Sequence, residues 1–387
     1  MASLLIAIIY TAFISLGLPD SLLGSAWPIM HAELNVPLSY MGIISMIISL
    51  GTIVSSLASD FLTRKLGAGL VTAISVFLTA AALFGFSAAN SFIALCFIAV
   101  PYGLGAGAVD AALNNYAAIH FSPKHMSWLH CFWGVGASIS PYIMSFCLSG
   151  GLGWQKGYLS VSILQIILTV ILFLSLPLWK KTASQSEEQN TNTVGLKGAF
   201  KIKGVPYVMA AFFCYCAMES TAGLWASSYL SEYRNTSEET AAMFASLFYF
   251  GITFGRFVSG FAAEKLGDKK LIRIGTATAI IGVVMILIPL ETNIPALVGL
   301  VTTGIGCAPV YPSIIHSTPY NFGKENSQSI IGIQMACAYM GTTVMPPLFG
   351  VLADKAGIFL YPLYLLIFAL VLGGMSELLN KAIANKA

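Results

Sequence analysis

The stretch GLGAGAVD, residues 103–110, recurs in altered form as GIGCAPVY, residues 304–311, and this recurrence divides the chain. Two further pairs of segments follow in the same order: GTIVSSLASD from Gly51 with GRFVSGFAAE from Gly255, and GASISP from Gly136 with GTTVMP from Gly341. Matches at nearly the same long offset indicate two copies of a single structural unit. The sequence therefore predicts two pseudo-symmetric halves.

The composition places both halves in a membrane. Only 9% of the 387 residues are charged and 57% are hydrophobic, against roughly 25% charged in a soluble domain. Crossing the hydrocarbon core takes about 20 apolar residues. Twelve such segments lie at 3–28, 37–59, 67–88, 91–119, 126–149, 157–179, 205–230, 238–261, 271–290, 294–317, 326–351 and 357–379. We predict an all-α membrane protein with twelve transmembrane helices in two six-helix bundles.

A single long polar stretch separates the bundles. Residues 180–204, KKTASQSEEQNTNTVGLKGAFKIKG, lack the apolar periodicity needed to pack and have the composition of a linker. The predicted domains are therefore an N-terminal bundle, 1–179, a cytoplasmic linker, 180–204, and a C-terminal bundle, 205–387.

The distribution of Lys and Arg predicts the orientation. With both termini in the cytoplasm, 16 of the 19 basic residues fall on the cytoplasmic side, and Arg256 is one of these 16. Lys156, Arg234 and Lys355 are left outside. Cytoplasmic loops carry the excess of positive charge, so this bias fixes the topology. We expect a multi-pass protein of a cell membrane, the bacterial inner membrane.

Loop and helix motifs give the chain a family resemblance over essentially its whole length. GFAAEKLGDKK, residues 260–270, resembles the loop signature of major facilitator superfamily transporters, and SDFLTRKLG, residues 59–67, is a looser copy. Within that superfamily, four motifs resemble the fucose permease group of sugar/proton symporters: LPDSLL at 18–23, VDAALN at 109–114, GVGASISP at 134–141 and GCAPVYPS at 306–313. The resemblance implies the major facilitator fold.

The resemblance also implies roles for particular residues. An acid in the first helix and an acid in the fourth carry proton coupling and sugar binding in that group, and they correspond here to Asp20 and Asp110, with Asn114 following as the pattern expects. Two positions depart from the pattern. The fourth-helix acid there is Glu, and the fifth helix carries an amide where this chain has Trp133. The identity of the sugar therefore does not carry over.

Independently of any family, three acids lie in the interior of the apolar segments, away from their ends: Asp20, Asp110 and Glu219. Asp110 and Asn114 share one helix face, and Gly103, Gly105 and Gly107 would let a neighbouring backbone approach. The topology places no Lys or Arg at their depth, so desolvation favours the neutral acid. An ionisable residue at this depth marks an ion, proton or substrate route. We predict that all three acids couple transport to protons.

Further polar and aromatic residues are candidates for binding a polyhydroxylated solute, whose hydroxyls and C–H faces call for both types of group. Structural packing is the alternative for each of them. With Asp20, Asn114 and Glu219, the predicted solute-binding residues are Trp27, His130, Trp133, Trp225, Tyr249, Tyr311 and Gln334.

The charged loop signatures are expected to hold the two halves together on the cytoplasmic side. The residues of this predicted latch are Asp60, Arg64, Lys65, Glu264, Lys265 and Lys270.

We therefore expect a secondary transporter that moves a monosaccharide or sugar-like solute with protons, acts as a monomer and needs no cofactor or metal. Proton-driven efflux of a drug or metabolite and sodium-coupled sugar uptake are the alternatives. The sequence has no GxxxxGK[ST] phosphate loop, and GAGAVD differs from the GxGD motif of intramembrane aspartyl proteases, so an enzyme is not expected. The net charge of +3 is too small to indicate nucleic-acid binding.

Overall fold

The computed structural model describes residues 2–37, 40–183, 198–236, 238–290 and 292–384. The longer helices of these residues are α1 (Ala2–Asp20), α2 (Leu22–Glu33), α3 (Met41–Leu66), α4 (Ala68–Ala88), α5 (Phe92–His120), α6 (Pro123–Ser149), α7 (Gly153–Ala183), α8 (Val205–Ser228), α9 (Glu238–Leu266), α10 (Asp268–Leu287), α11 (Ile294–Cys307), α12 (Val310–Phe322), α13 (Lys324–Ala356) and α14 (Tyr361–Ala384).

The helices account for twelve membrane crossings. In the described residues, 11 helical segments are long and apolar enough to span a bilayer, and two of them combine neighbouring helices, α1 with α2 and α11 with α12. The remaining helix, α9, has 29 residues, which at about 1.5 Å per residue is sufficient to cross. Helices satisfy their own backbone hydrogen bonds, as the hydrocarbon interior requires. The prediction of a twelve-helix membrane protein is confirmed.

The chain forms two compact units. One comprises the described parts of Met1–Tyr116 and Leu129–Gly195, and the other those of Ala117–Trp128 and Leu196–Ala387. The second unit thus includes the connection between α5 and α6. Most of the predicted linker, residues 184–197, lies outside the described residues, and the predicted domain boundaries stay a prediction.

Glycine positions set the helix contacts of the first unit, as the sequence predicted for α5. A side chain at Gly107 would collide with the carbonyl oxygen of Thr52 on α3, and Ser56 on α3 donates a hydrogen bond to the Gly107 carbonyl at 3.2 Å. Gly136 on α6 lies in the same way against the Ile14 carbonyl of α1. Two helix pairs therefore pack backbone to backbone.

The second unit repeats one of these contacts. Gly341 on α13, which the sequence repeat aligns with Gly136, lies against the Phe213 carbonyl and the Ala217 amide of α8. The α8–α13 contact is thus the counterpart of the α1–α6 contact. The repeat seen in the sequence corresponds to a repeat of helix packing.

Replacing Gly136 with Ala should destabilise the protein, because the added methyl has no room beside the Ile14 carbonyl. Overpacking of this kind costs about 1–3 kcal/mol. The thermal unfolding midpoint in detergent should fall. The matched control is Gly24→Ala on α2, where nothing lies within 4 Å of the added methyl. Equal midpoints for the two variants would contradict the close approach.

Candidate functional site

Asp20 lies at a break in the first membrane crossing. It ends α1, directly after Pro19, and α2 resumes at Leu22. Its side chain is exposed, and Oδ2 accepts a hydrogen bond of 2.9 Å from the indole Nε1–H of Trp133 on α6. The hydroxyl of Ser21 in the break donates to the Ala137 carbonyl of α6 at 2.6 Å. The break therefore presents a carboxylate and an indole side by side on the surface of the first unit.

A second acid begins a chain of hydrogen bonds into the same unit. Asn114 Nδ2 donates to Asp110 Oδ1 at 2.7 Å, and His130 Nε2 lies 3.1 Å from Asn114 Oδ1. Since the amide nitrogen of Asn114 bonds the carboxylate, its oxygen is left as the acceptor and His130 Nε2 carries a proton. Asn114 is fully buried and His130 nearly so. The structure thus brings together three of the predicted residues.

One helix face links the two acids. His130 and Trp133 are three residues apart on α6, so they share a face. His130 joins the hydrogen-bond chain of Asp110 through Asn114, and Trp133 bonds Asp20 directly. The His130 ring also packs edge-on against Phe13 of α1, with centroids 5.3 Å apart. Packing of α6 against α1 and α5 is therefore what places both acids beside the same helix.

The third acid has a basic partner that the sequence analysis missed. Arg256 Nη2 on α9 lies 3.6 Å from Glu219 Oε1 on α8. Only 5% of the Arg256 side chain and 19% of the Glu219 side chain are exposed. Tyr215, one turn before Glu219, is buried beside the pair. The expectation that no Lys or Arg lies at the depth of the acids is wrong for Glu219.

Charge counting along the sequence assigns Arg256 to the cytoplasmic side, together with the basic loop that follows it. It actually lies ten residues before the end of α9, which is about 15 Å along the helix axis. The signal available in the sequence was a single Arg within the apolar run GITFGRFVSGF, residues 251–261. A basic residue surrounded by apolar ones is expected to pair with an acid inside the bundle.

Two tyrosines of the second unit lie near this ion pair. Tyr249 is 51% exposed, and its hydroxyl lies over Gly223, one turn beyond Glu219 on α8. Tyr311 on α12 is half-buried, with its ring centroid 4.7 Å from that of Phe212 and its hydroxyl 3.3 Å from the sulfur of Met335. Tyr249 is therefore the more exposed of the two tyrosines.

The other three predicted solute contacts are held within the protein. Trp27 is 1% exposed in the hydrophobic core of the first unit. Gln334 is fully buried, and its amide exchanges hydrogen bonds with the Thr318 hydroxyl at 3.1 and 3.2 Å. Trp225 donates to the Pro346 carbonyl at 2.9 Å and is half-buried. These positions favour the packing alternative for all three residues.

Residues of the predicted latch contact their own helix or the α5–α6 connection. Asp60 pairs with Arg64 at 2.7 Å, and Lys65 lies over the Phe61 ring of the same helix. Glu264 accepts a hydrogen bond of 3.1 Å from Ser122. The role of these residues and of Lys265 and Lys270 as a latch stays a prediction.

The α5–α6 connection also contacts a residue that no sequence signal had marked. His316 Nδ1 lies 2.7 Å from Asp268 Oδ2 at the start of α10, and Nε2 lies 3.1 Å from the Phe121 carbonyl oxygen. Trp128 donates from Nε1 to the Phe257 carbonyl of α9. These contacts explain why residues 117–128 group with the second unit.

Comparison with known proteins identifies the family. A family model described as Major Facilitator Superfamily matches residues 9–226 and again residues 207–379. The chain belongs to the Major Facilitator Superfamily. The yeast protein named bypass of stop codon protein 6, from Saccharomyces cerevisiae, is 22% identical over 395 residues, which is 91% of this chain and 77% of that protein. The hexuronate transporter of Bacillus subtilis is 22% identical over 269 residues, 66% of this chain and 64% of that protein.

Solved structures of the Major Facilitator Superfamily share the fold. A variant of the E. coli fucose:proton symporter FucP aligns with a TM-score of 0.76 at 16% identity over 98% of both chains. The proton:xylose symporter XylE, bound to 6-bromo-6-deoxy-D-glucose, aligns with a TM-score of 0.81 at 12% identity, over 98% of this chain and 95% of that one. The predicted superfamily and architecture are confirmed, and the chain is a membrane transporter of this superfamily.

Removing the acid of the buried ion pair should destabilise this superfamily member. Glu219→Gln leaves the Arg256 guanidinium buried without its carboxylate, which costs about 3 kcal/mol or more. Combining it with Arg256→Met removes both charges and should restore part of that loss. The readout is thermal and chemical unfolding in detergent.

The exposed pair of Arg273 and Glu377 in the same unit supplies the control for this cycle. An exposed ion pair contributes only about 0–1 kcal/mol, so Glu377→Gln should have little effect. Strictly additive effects of Glu219→Gln and Arg256→Met would show that the two side chains are not coupled.

Proposed function

We propose that this chain is a secondary active transporter that moves a monosaccharide or sugar-like solute in symport with protons by alternating access. The observation that carries the proposal is the exposed Asp20 carboxylate beside the Trp133 indole, with Oδ2 and Nε1 2.9 Å apart. A carboxylate accepts hydrogen bonds from sugar hydroxyls, and an indole presents an apolar face to sugar C–H groups. The pair therefore matches the mixed surface of a sugar.

Proton coupling is assigned to Asp110 through its hydrogen-bond chain with Asn114 and His130. The sequence has no Lys or Arg between Met1 and Thr63, between Leu66 and Pro123, or between His125 and Gln155. Protonation is then the means by which these helices can neutralise a carboxylate during a transport cycle. The Asp110–Asn114–His130 chain connects such an acid, through one amide side chain, to an imidazole that can accept or donate a proton.

The sequence predicted that Glu219 couples transport to protons, but in this proposal it has a structural role. Its charge is balanced by Arg256, whose Nη2 lies 3.6 Å from Glu219 Oε1. We assign proton coupling to Asp20 and Asp110, and we assign Glu219 to a fixed ion pair. The solute-facing group of the second unit is then Tyr249, which is half exposed one turn from Glu219.

The charge balance favours a neutral solute. Glu219 is offset by Arg256, whereas the sequence stretches that hold Asp20 and Asp110, residues 1–63 and 66–123, contain no Lys or Arg. An anionic sugar acid, such as the relative from B. subtilis is named for, would meet a surplus of negative charge unless the acids were protonated. A neutral hexose or pentose meets no such repulsion.

The arrangement in the membrane is also part of the proposal. Both termini lie in the cytoplasm of a bacterial inner-membrane protein, because that orientation places most basic residues inside. The protein acts as a monomer, and the loop charges at Arg64, Lys65, Glu264, Lys265 and Lys270 stabilise one state of the transport cycle.

The decisive experiment is uptake into proteoliposomes. The purified protein is offered a panel of neutral monosaccharides and uronic acids, with an imposed pH gradient, with an imposed sodium gradient and with neither. Accumulation of a neutral sugar driven by the pH gradient supports the proposal. Accumulation that needs sodium would transfer the coupling to that ion, and expulsion of solutes without any sugar uptake would identify a proton-driven efflux pump.

Asp110→Asn should abolish accumulation driven by a pH gradient but leave solute exchange at equal concentrations measurable, because exchange does not require release of the proton. Asp110→Glu is the matched control, since it keeps an ionisable group and should retain part of the accumulation. A variant Asp110→Asn that still concentrates solute would exclude Asp110 as the coupling residue.

Asp20→Ala should weaken solute binding at fixed pH by about 1.5–3 kcal/mol, the usual loss for a hydrogen bond to a charged group. The measurement is a calorimetric or fluorescence titration with the transported sugar. Trp133→Phe keeps an aromatic face but removes the indole N–H, so it should weaken binding less. Unchanged affinity in Asp20→Ala would restrict Asp20 to a structural role.

A further inference from the structure

A groove opens in the first unit between the end of α6 and the start of α7, away from the acids. Its volume is about 470 Å³, and the side chains that line it include Tyr142, Phe146, Cys147, Leu152, Lys156 and Ser160. These residues take no part in the site described above.

The walls of the groove are apolar and unusually exposed. Tyr142 and Phe146, one turn apart on α6, are 78% and 73% exposed, and Leu152 in the connection is 54% exposed. Cys147, which also lines the groove, is 3% exposed. In a bilayer, apolar side chains this exposed on a membrane-spanning helix are accessible to acyl chains.

The groove carries a positive charge near the end closest to the α6–α7 connection. Lys156 lies in the first turn of α7, and Ser160 lies one turn further into that helix. Tyr142 lies seven residues before the end of α6 at Ser149, about 10 Å from that end. The charge is therefore near the membrane surface and the apolar walls extend inward. A phospholipid has the same polarity along its length.

No carboxylate among the described residues forms a salt bridge with Lys156. A nearby acid, Glu33, accepts hydrogen bonds at Oε2 from Trp154 Nε1 at 2.7 Å and from Gln155 Nε2 at 3.4 Å. Its charge is thus turned toward the two residues that precede Lys156. The ammonium group of Lys156 is left to an anion from outside the unit.

We propose that this groove binds one phospholipid with an anionic headgroup, with its phosphate at Lys156 and an acyl chain along Tyr142 and Phe146. An anionic headgroup complements the single positive charge. A zwitterionic headgroup would bring its own cation beside Lys156 and gain less.

The test is native mass spectrometry of the purified protein titrated with dioleoyl phosphatidylglycerol and, separately, with dioleoyl phosphatidylcholine. The first lipid bound should favour phosphatidylglycerol by about fivefold, the effect of one Lys near an anionic headgroup. Lys156→Gln should remove this preference. Leu152→Trp, which fills the groove, should weaken binding of the first lipid of either type.

Lys355→Gln is the matched control, because Lys355 is an exposed lysine predicted on the same side of the membrane but lies at the end of α13. This variant should keep the preference. An unchanged preference in Lys156→Gln, an equal loss in Lys355→Gln, or displacement of the lipid by inorganic phosphate alone would overturn the proposal. A second copy of the chain on the groove, seen as a dimer lost in Leu152→Trp, would overturn it as well.

Discussion

Backbone contact between helices is the constraint on which the polar sites of this transporter depend. Where Gly136 lies against the Ile14 carbonyl and Gly107 against the Thr52 carbonyl, the paired helices approach more closely than side chains would allow. Association of helices in a bilayer relies on such close packing, because apolar side chains gain little by leaving lipid. The short distance between α1 and α6 is what allows Trp133 to reach Asp20, and a wider separation would leave the carboxylate without the indole.

The two units share this packing but differ in their electrostatics. The repeat aligns Asp110 with Tyr311 and Thr52 with Arg256, so the second unit exchanges a carboxylate for a phenol at one position and gains a guanidinium at the other. Glu219, the counterpart of Asp20, is thereby neutralised within its own unit. The same scaffold occurs twice, but the interiors of the apolar segments differ: those of the first unit contain Asp20 and Asp110 and no Lys or Arg, whereas in the second unit Glu219 is paired with Arg256. This asymmetry is the physical basis for assigning proton coupling to the first unit.

The two units also differ in which of their membrane crossings is interrupted. The first crossing breaks at Ser21, directly after Asp20, and the tenth breaks between Cys307 and Val310, so that Tyr311 is the second residue of the helix that resumes there. A break frees backbone groups from the helical hydrogen-bond pattern and is tolerated at membrane depth only where protein or a hydrated cavity satisfies them. Both breaks adjoin residues that the sequence marked as polar candidates.

The sequence by itself determined the number of crossings, the two-fold repeat, the superfamily and most of the polar residues of the first unit, because these follow from hydropathy, spacing and motif, all of which are local along the chain. It also predicted that Asp110 and Asn114 share a face, since that needs only the helical period.

The sequence could not place Arg256, because charge counting assigns a basic residue to the nearest loop, whereas its pairing with Glu219 depends on how α8 and α9 pack. Likewise, Trp27 and Gln334 resembled cavity residues in sequence, and only the tertiary structure buried them. Whether a polar or aromatic side chain faces a solute or the protein interior depends on the rotation of each helix about its axis, which contacts with distant parts of the chain decide.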